Sequence, residues 1–140
     1  MISNVRNQVP FRKKVGQVTE DFVTVKGKKC YVKHGVLQLG HKGINDISDI
    51  KGLEHLTKLQ ELDLCSNRIK EIKGLEALTN LTRLDLSGNQ IEEIKGLENL
   101  TNLEVLDLHG NRIVSNEQHL LEKQAQEIVK YCQEKARTAK

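Results

Sequence analysis

A 22-residue repeat runs through the middle of this 140-residue chain and constrains its fold more than any other feature. The string Ile-Lys-Gly-Leu-Glu begins at positions 50, 72 and 94, and the residues that follow it recur in register. The recurring apolar positions are Leu56, Leu78 and Leu100; Leu59, Leu81 and Leu103; Leu62, Leu84 and Leu106; Leu64, Leu86 and Leu108; and Ile69, Ile91 and Ile113. Such a period is typical of stacked repeats, in which each unit buries its apolar side chains only against its neighbours.

An earlier, degenerate unit precedes the three regular ones. Leu37 and Leu39 occupy the paired leucine positions, and Ile44 and Ile47 occupy the isoleucine positions, while a lysine stands where the asparagine is expected. Three extra residues lengthen this first unit to about 25 residues. The repeats are therefore predicted to span residues 36–114 in about four coils.

Polar and apolar residues alternate around the paired leucines of each coil. In the second coil, Leu62 and Leu64 are expected to point inward from a short strand, while Glu61, Asp63 and Cys65 point outward. An asparagine follows three residues after the second leucine, and asparagine side chains readily hydrogen-bond backbone groups at turns. This predicted structural ladder consists of Asn67, Asn89 and Asn111.

The second half of each coil contains the glycine of the recurring string. Gly74 allows a tight backbone turn, after which Leu75 and Leu78 are predicted to line a short helical return. One full coil then offers seven side chains to the interior: Leu53, Leu56, Leu59, Leu62, Leu64, Ile69 and Ile72.

The repeated motif LxxLxLxxN/CxL and the returning GLExLTxL segment resemble those of leucine-rich repeat proteins. The 22-residue period is similar to that of the subclass typified by the leucine-rich regulatory subunit of protein phosphatase 1. The resemblance implies an α/β fold, a right-handed leucine-rich repeat solenoid with a short parallel β-sheet on its concave side. It also implies a protein partner for the concave face, and a regulatory subunit of a phosphatase-like enzyme complex is one alternative function.

Composition and motifs exclude several classes of protein. No apolar run approaches the ~20 residues of a membrane span, and the motifs of phosphate loops, serine hydrolases and zinc proteases are absent. The three cysteines, Cys30, Cys65 and Cys132, are scattered and odd in number, which favours free thiols in a reducing compartment. We therefore expect a cytoplasmic, monomeric, non-catalytic protein that uses no cofactor or metal and contacts no membrane.

The N-terminal 35 residues carry eight Lys and Arg against two acidic residues. Residues 1–16 are predicted to form a flexible basic tail, and a nucleic-acid-associated adaptor using this tail is another alternative function. Its single phenylalanine is too little for a base-stacking platform. In residues 17–35, alternating valines flank the turn signal Lys26-Gly27-Lys28, which predicts a β-hairpin that caps the first coil.

Residues 115–140 are predicted to form a capping helix. Ser115 and Gln118 fit a capping box. Apolar residues then recur at helical spacing: Leu120, Leu121, Ala125, Ile128, Val129 and Cys132. We expect this apolar face to fold over the last coil, and pairing with another chain is the alternative.

The outward strand positions are the candidate protein-binding site. They are Gln38, Glu61, Asp63, Cys65, Arg83, Asp85, Ser87, Val105, Asp107 and His109. Three aspartates form one column across the sheet, which is interpreted either as a stripe for a cation or basic partner, or as a row of local hydrogen-bond acceptors on a solvated face. A flat ladder does not converge on a metal as a cage does, which favours the second interpretation.

Overall fold

The structure, a computed structural model, describes residues 12–15 and 18–139, with side chains from residue 21 onward. Two sheets, one antiparallel at the N-terminal end and one parallel through the repeats, are followed by helical segments. The strands are β1 (Arg12–Val15), β2 (Val18–Val25), β3 (Lys28–Tyr31), β4 (Val36–Gln38), β5 (Ile50–Lys51), β6 (Glu61–Asp63), β7 (Arg83–Asp85) and β8 (Val105–Asp107). Three 3₁₀ helices (Ile47–Asp49, Leu53–His55 and Ser115–Glu122) and one α-helix, α1 (Ala125–Thr138), complete the described elements.

The parallel sheet contains one strand from each repeat unit, in the order β4-β6-β7-β8. Its register aligns Leu37, Leu62, Leu84 and Leu106 side by side. Because side chains alternate across a strand, this row faces the interior, and its first three leucines are at most 2% exposed. All seven side chains predicted to line one coil are at most 3% exposed, so the predicted interior of the repeat is confirmed.

The asparagine ladder joins each coil to the one before it. Asn67 donates from Nδ2 to the carbonyl oxygens of Leu39 and Leu64, and its Oδ1 accepts from the backbone N–H of Ile44 at 2.9 Å. Asn89 and Asn111 repeat this pattern one and two coils further on. The predicted backbone bonding is confirmed, and it spans two coils rather than one turn.

The returning half of each coil is less helical than predicted. Leu53–His55 forms a 3₁₀ helix, closed by a hydrogen bond from Leu56 N–H to the Leu53 carbonyl oxygen. The equivalent bond from Leu78 to Leu75 is present in the next coil, but that segment is a turn. The prediction of a helical return lined by Leu75 and Leu78 is therefore wrong in its helical part, because a single bond between residues three apart closes only one turn.

The predicted N-terminal hairpin is present as β2 and β3, joined through Lys26 and Gly27, which both have positive φ. Val23 and Val25 are at most 4% exposed and belong to the same apolar core as the repeats. Residues 12–15 of the predicted basic tail form β1, which pairs with β2. The rest of that tail, residues 1–11 and 16, lies outside the described residues.

The C-terminal segment is not the single helix predicted from residue 115. A 3₁₀ helix comes first, and α1 begins at Ala125 with a capping box formed by Gln124 and Glu127. The predicted box is wrong, because Gln118 Nε2 donates instead to the Ile113 carbonyl oxygen. A 3₁₀ helix has three residues per turn, so Glu117 and Leu120 lie on the same side of it, and both side chains are buried.

α1 packs on the last coil of its own chain. Its buried face consists of Ala125, Ile128, Val129 and Cys132. Gln126 and Gln133 donate to the carbonyl oxygens of Leu103 and Glu98, at 2.7 and 3.1 Å. The apolar face that was available for pairing with another chain is therefore occupied within the chain. Among the described residues, no helix is both long and apolar enough to cross a membrane.

Candidate functional site

The outward face of the parallel sheet, defined by the ten predicted site residues, carries side chains that point away from the core. A groove of about 210 Å³ runs across it. Val36, Leu62 and Leu84 line this groove together with seven of the ten residues: Gln38, Glu61, Asp63, Arg83, Asp85, Val105 and Asp107. Cys65, Ser87 and His109 lie just beyond the strand ends, each two residues after an aspartate of the column. The structure thus gathers the predicted residues on one face.

Each aspartate of the column accepts a hydrogen bond from the residue two positions later. Asp63 Oδ1 accepts from the Cys65 N–H at 2.9 Å. Asp85 Oδ1 accepts from both the N–H and the hydroxyl of Ser87, at 2.9 and 2.6 Å. Asp107 repeats the backbone contact with His109 at 3.0 Å. Local hydrogen bonding, one of the two interpretations of the column, is therefore present, and it orients three partly exposed carboxylates along the same face.

The outward face is acidic. It carries the carboxylates of Glu61, Asp63, Asp85 and Asp107 against the single guanidinium of Arg83, a net charge of −3 with neutral histidine. Arg83 Nε lies 3.9 Å from Glu61 Oε1, which is a weak, exposed pair. The excess negative charge lies on the aspartate column.

A second row of charges outside this face is internally paired. Alternating acids and lysines follow one another across the coils at distances of 2.8–3.9 Å: Asp46, Lys73, Glu71, Lys95, Glu93 and Lys135. Hydrogen bonding to Glu71 is the main cause that raises the pKa of Lys95. Because the opposite charges neutralise one another, this row attracts a charged partner much less strongly than the aspartate column does.

Three possible metal ligands lie together on the outward face. One ligand atom each from Asp63, Cys65 and Asp85 falls within a group less than 4.8 Å across. Structural zinc sites take four protein ligands and calcium takes six to eight oxygen ligands, whereas these three lie on an open face of the sheet and one of them is a thiol. Hydrogen bonding to Asp63 is the main cause that raises the pKa of the Cys65 thiol, with burial and the Asp85 charge adding to it. The thiol is thus held in its protonated, less nucleophilic form.

We predict that Asp63→Asn accelerates alkylation of Cys65. Loss of the neighbouring charge lowers the thiol pKa, and the thiolate fraction rises about tenfold for each pKa unit recovered. Iodoacetamide labelling at pH 7.5, followed by peptide mass spectrometry, measures the rate at Cys65 against that at Cys30 in the same sample. An unchanged ratio between the two cysteines would contradict the assigned Asp63–Cys65 contact.

The position of one residue near the outward face was not predicted from the sequence. Glu122 Oε2 lies 3.9 Å from His109 Nε2 and extends the acidic face beyond the last strand. Its place was assigned to a capping helix, and no local pattern signals that the 3₁₀ helix brings it beside His109.

Two family models match this chain. A leucine rich repeat model matches residues 36–91, and a model of two leucine rich repeat copies matches residues 79–121. No curated protein sequence matches the chain. Among the solved structures, an internalin C2 from Listeria monocytogenes is similar, at 29% identity and a TM-score of 0.43. That match covers 58% of this chain and 44% of the internalin chain, so this chain spans less than half of it.

The matched segments contain all of the parallel sheet and the whole asparagine ladder with its hydrogen-bond partners. Leucine-rich repeat proteins generally act in protein–protein interaction, and neither matching model describes a catalytic family. The repeats between residues 36 and 121 therefore match leucine-rich repeat models, which supports a leucine-rich repeat fold for this part of the chain.

Proposed function

We propose that this chain is a non-catalytic interaction module that binds a partner protein through the outward face of its parallel sheet. In this proposal the face is the concave side of a right-handed solenoid of about four coils. The aspartate column carries the argument, because its three carboxylates are held by hydrogen bonds at regular spacing on an otherwise solvated sheet. A surface that is rigid before binding loses little conformational freedom when the partner docks.

The charge of the face specifies a basic partner. Neighbouring carboxylates in register across parallel strands lie ~4.8 Å apart and repel one another by about 1 kcal/mol in water. Lysine or arginine side chains placed between them relieve this repulsion and gain attraction to both neighbours. Binding is therefore expected to weaken as the salt concentration rises.

The two ends of the array are proposed to be caps that keep the face rigid. The hairpin supports this role at the N-terminal end, because Val23 and Val25 pack into the core. α1 supports it at the other end, where Ile128 and Cys132 are at most 2% exposed. Repeat arrays need such terminal units, since an uncovered end exposes apolar surface to water.

We predict that the double variant Asp63→Asn/Asp85→Asn loses capture of the partner. The asparagine oxygen still accepts the Cys65 and Ser87 N–H groups, so the turns persist while two charges are removed. The affinity of the captured protein should fall about tenfold or more, as expected for close charge pairs at an interface. Affinity capture from native lysate, followed by titration of the captured protein, measures the loss.

The matched control is Glu54→Gln/Glu76→Gln. It removes two charges at the same 22-residue spacing from exposed positions outside the face. Unchanged binding by the Asp63/Asp85 variant, or an equal loss in both double variants, would show that the outward face is not the binding surface.

Two alternative partners give different results in the same capture. The phosphatase-subunit alternative depends on the repeat resemblance, and it predicts a phosphatase catalytic chain in the captured complex. The nucleic-acid alternative uses the basic N-terminus, where the described hairpin exposes Lys26, Lys28 and Lys29. It predicts binding that falls steeply with salt and is lost when residues 1–16 are deleted.

A further inference from the structure

The backbone hydrogen bonds between coils stop at the last strand. Leu64 N–H donates to the Asp85 carbonyl oxygen of the next coil, and Leu86 N–H donates in the same way to Asp107, both at 2.8 Å. Leu108 is the next residue in this series, and among the described residues its N–H has no acceptor.

A second backbone donor and one backbone acceptor also lose their inter-coil partner at the last strand. Gly88 N–H donates to the His109 carbonyl oxygen at 2.9 Å, whereas the equivalent Gly110 N–H has no acceptor within the described chain. The Thr82 carbonyl oxygen accepts from two N–H groups of the next coil, but no described donor reaches the equivalent oxygen of Glu104. The outer edge of β8 therefore presents main-chain donors and an acceptor in the pattern that another strand would use.

The side chains at this edge are also incompletely covered. Leu62 and Leu84 are at most 2% exposed, whereas Leu106, in the same row, is only partly buried. Val105 beside it is 42% exposed. The side chains of α1 donate hydrogen bonds to the returning half of the last coil, at Ile94, Glu98 and Leu103, and among the described residues none of them bonds to β8.

We propose that the outer edge of β8 binds an extended segment of a partner protein as an added strand. The segment alternates apolar and basic side chains: an apolar residue covers Leu106, and its basic neighbours lie beside Asp107 on the outward face. This site shares only Asp107 with the aspartate column, and the main chain of the last strand supplies its other contacts.

Charge favours a basic partner segment over a second copy of this chain. From residue 103 to residue 110 the ionisable side chains are Glu104, Asp107 and His109. Pairing β8 with β8 of a second copy would bring four carboxylates to one edge, where like charges repel. Stacking β8 on β4 of a second copy is obstructed, since Lys33 pairs with Val36 at the start of β4.

Hydrogen exchange of the 140-residue chain tests whether the edge is open. The amides of Leu108 and Gly110 should exchange on the order of tenfold or more faster than those of Leu86 and Gly88, because only the latter pair is hydrogen-bonded to a neighbouring coil. Equal protection of the two pairs would mean that the edge is already covered and would overturn the proposal.

Binding is tested with a seven-residue acetylated and amidated peptide of alternating valine and lysine. Its addition should shift and protect the Leu108 and Gly110 amides, and Val105→Lys should weaken binding about tenfold, since an edge lysine opposes strand addition and repels the peptide. The matched control is Val114→Lys, because Val114 is equally exposed, at 42%, but lies outside the strand. No shift at either amide with millimolar peptide would overturn the proposal.

Two further arms separate the other outcomes. A peptide N-methylated on alternate amides should bind much more weakly, and equal binding would reduce the interaction to charge alone and overturn strand addition. Concentration-dependent sedimentation that Val105→Lys abolishes would identify a second copy as the occupant instead. The Asp63→Asn/Asp85→Asn variant should retain peptide protection at Leu108, so failure of the outward-face proposal is distinguishable from failure at this edge.

Discussion

Gly96→Ala is expected to destabilise the protein by about 3 kcal/mol or more, through a mechanism that combines backbone strain with a steric clash. Gly96 has a φ of +79°, a conformation that L side chains rarely adopt. A Cβ at this position would overlap the carbonyl oxygen of Ile72 and would lie 3.1 Å from its carbonyl carbon. Both atoms belong to the backbone of the preceding coil, so relief requires the two coils to move apart.

Gly74 provides the matched control one coil earlier. Its φ of +78° is nearly the same, but an added Cβ would only contact Ile47 Cγ2 at 3.7 Å. Gly74→Ala should therefore cost the conformational term alone, about 1–2 kcal/mol. Urea unfolding of both variants measures the difference. Equal costs at the two positions would show that the close approach of the coils at Gly96 contributes nothing to the effect.

The repeated part of the fold was predictable because every repeat has the same alternation of apolar and polar residues. Alternation around Leu62 and Leu64 places them inside, and the 22-residue period sets the strand register without further information. The position of the outward face follows from the same alternation. Its net charge is also readable from the sequence, because residues on one face of a strand are two apart.

The C-terminal segment was predicted less well because its structure depends on a distant contact. Ser115 and Gln118 match a local capping pattern, but Glu117 between them instead accepts the backbone N–H of Ile94, 23 residues earlier. The sequence contains no periodic signal for that pairing, since it occurs once. The open edge of β8 was not predicted for the same reason. It is open because the C-terminal helix packs on the returning half of the last coil and does not pair with β8.

Glu117→Ala is expected to cost about 3 kcal/mol, because it removes a buried carboxylate that accepts a backbone hydrogen bond and pairs with the partly buried Lys135. The side chain is 3% exposed. Oε1 accepts the Ile94 N–H at 2.9 Å, and Oε2 accepts from the Lys135 ammonium at 2.6 Å and from the Tyr131 hydroxyl. Lys135 also donates to the Ile94 carbonyl oxygen. The pair thus binds both polar backbone groups of Ile94, and its removal leaves a buried N–H without an acceptor.

Glu117→Gln removes the charge of this side chain but keeps its size and a hydrogen-bond acceptor. The amide oxygen can still accept from Ile94, so this variant should lose less stability at neutral pH than Glu117→Ala, as measured by urea unfolding. Equal losses in the two variants would mean that the hydrogen bond to Ile94 contributes little.

The charge of Glu117 also predicts a pH dependence. Burial opposes ionisation of this carboxyl, but the hydrogen bonds from Ile94, Lys135 and Tyr131 outweigh it and hold its pKa below the ordinary value of 4.5. The unfolded chain therefore binds the proton first, so the stabilisation is complete above pH 4.5 and is lost as the pH falls through the lowered pKa. Glu93 and Asp46 also have lowered pKa values and act in the same direction.

The difference in unfolding free energy between wild type and Glu117→Gln isolates this contribution. We expect the difference to be largest near pH 7 and to shrink steadily on acidification below pH 4.5, where the wild-type carboxyl also becomes neutral. A difference that stays constant down to pH 3 would mean that the folded and unfolded chains bind this proton equally well, so that the contacts with Ile94, Lys135 and Tyr131 do not favour the ionised carboxyl.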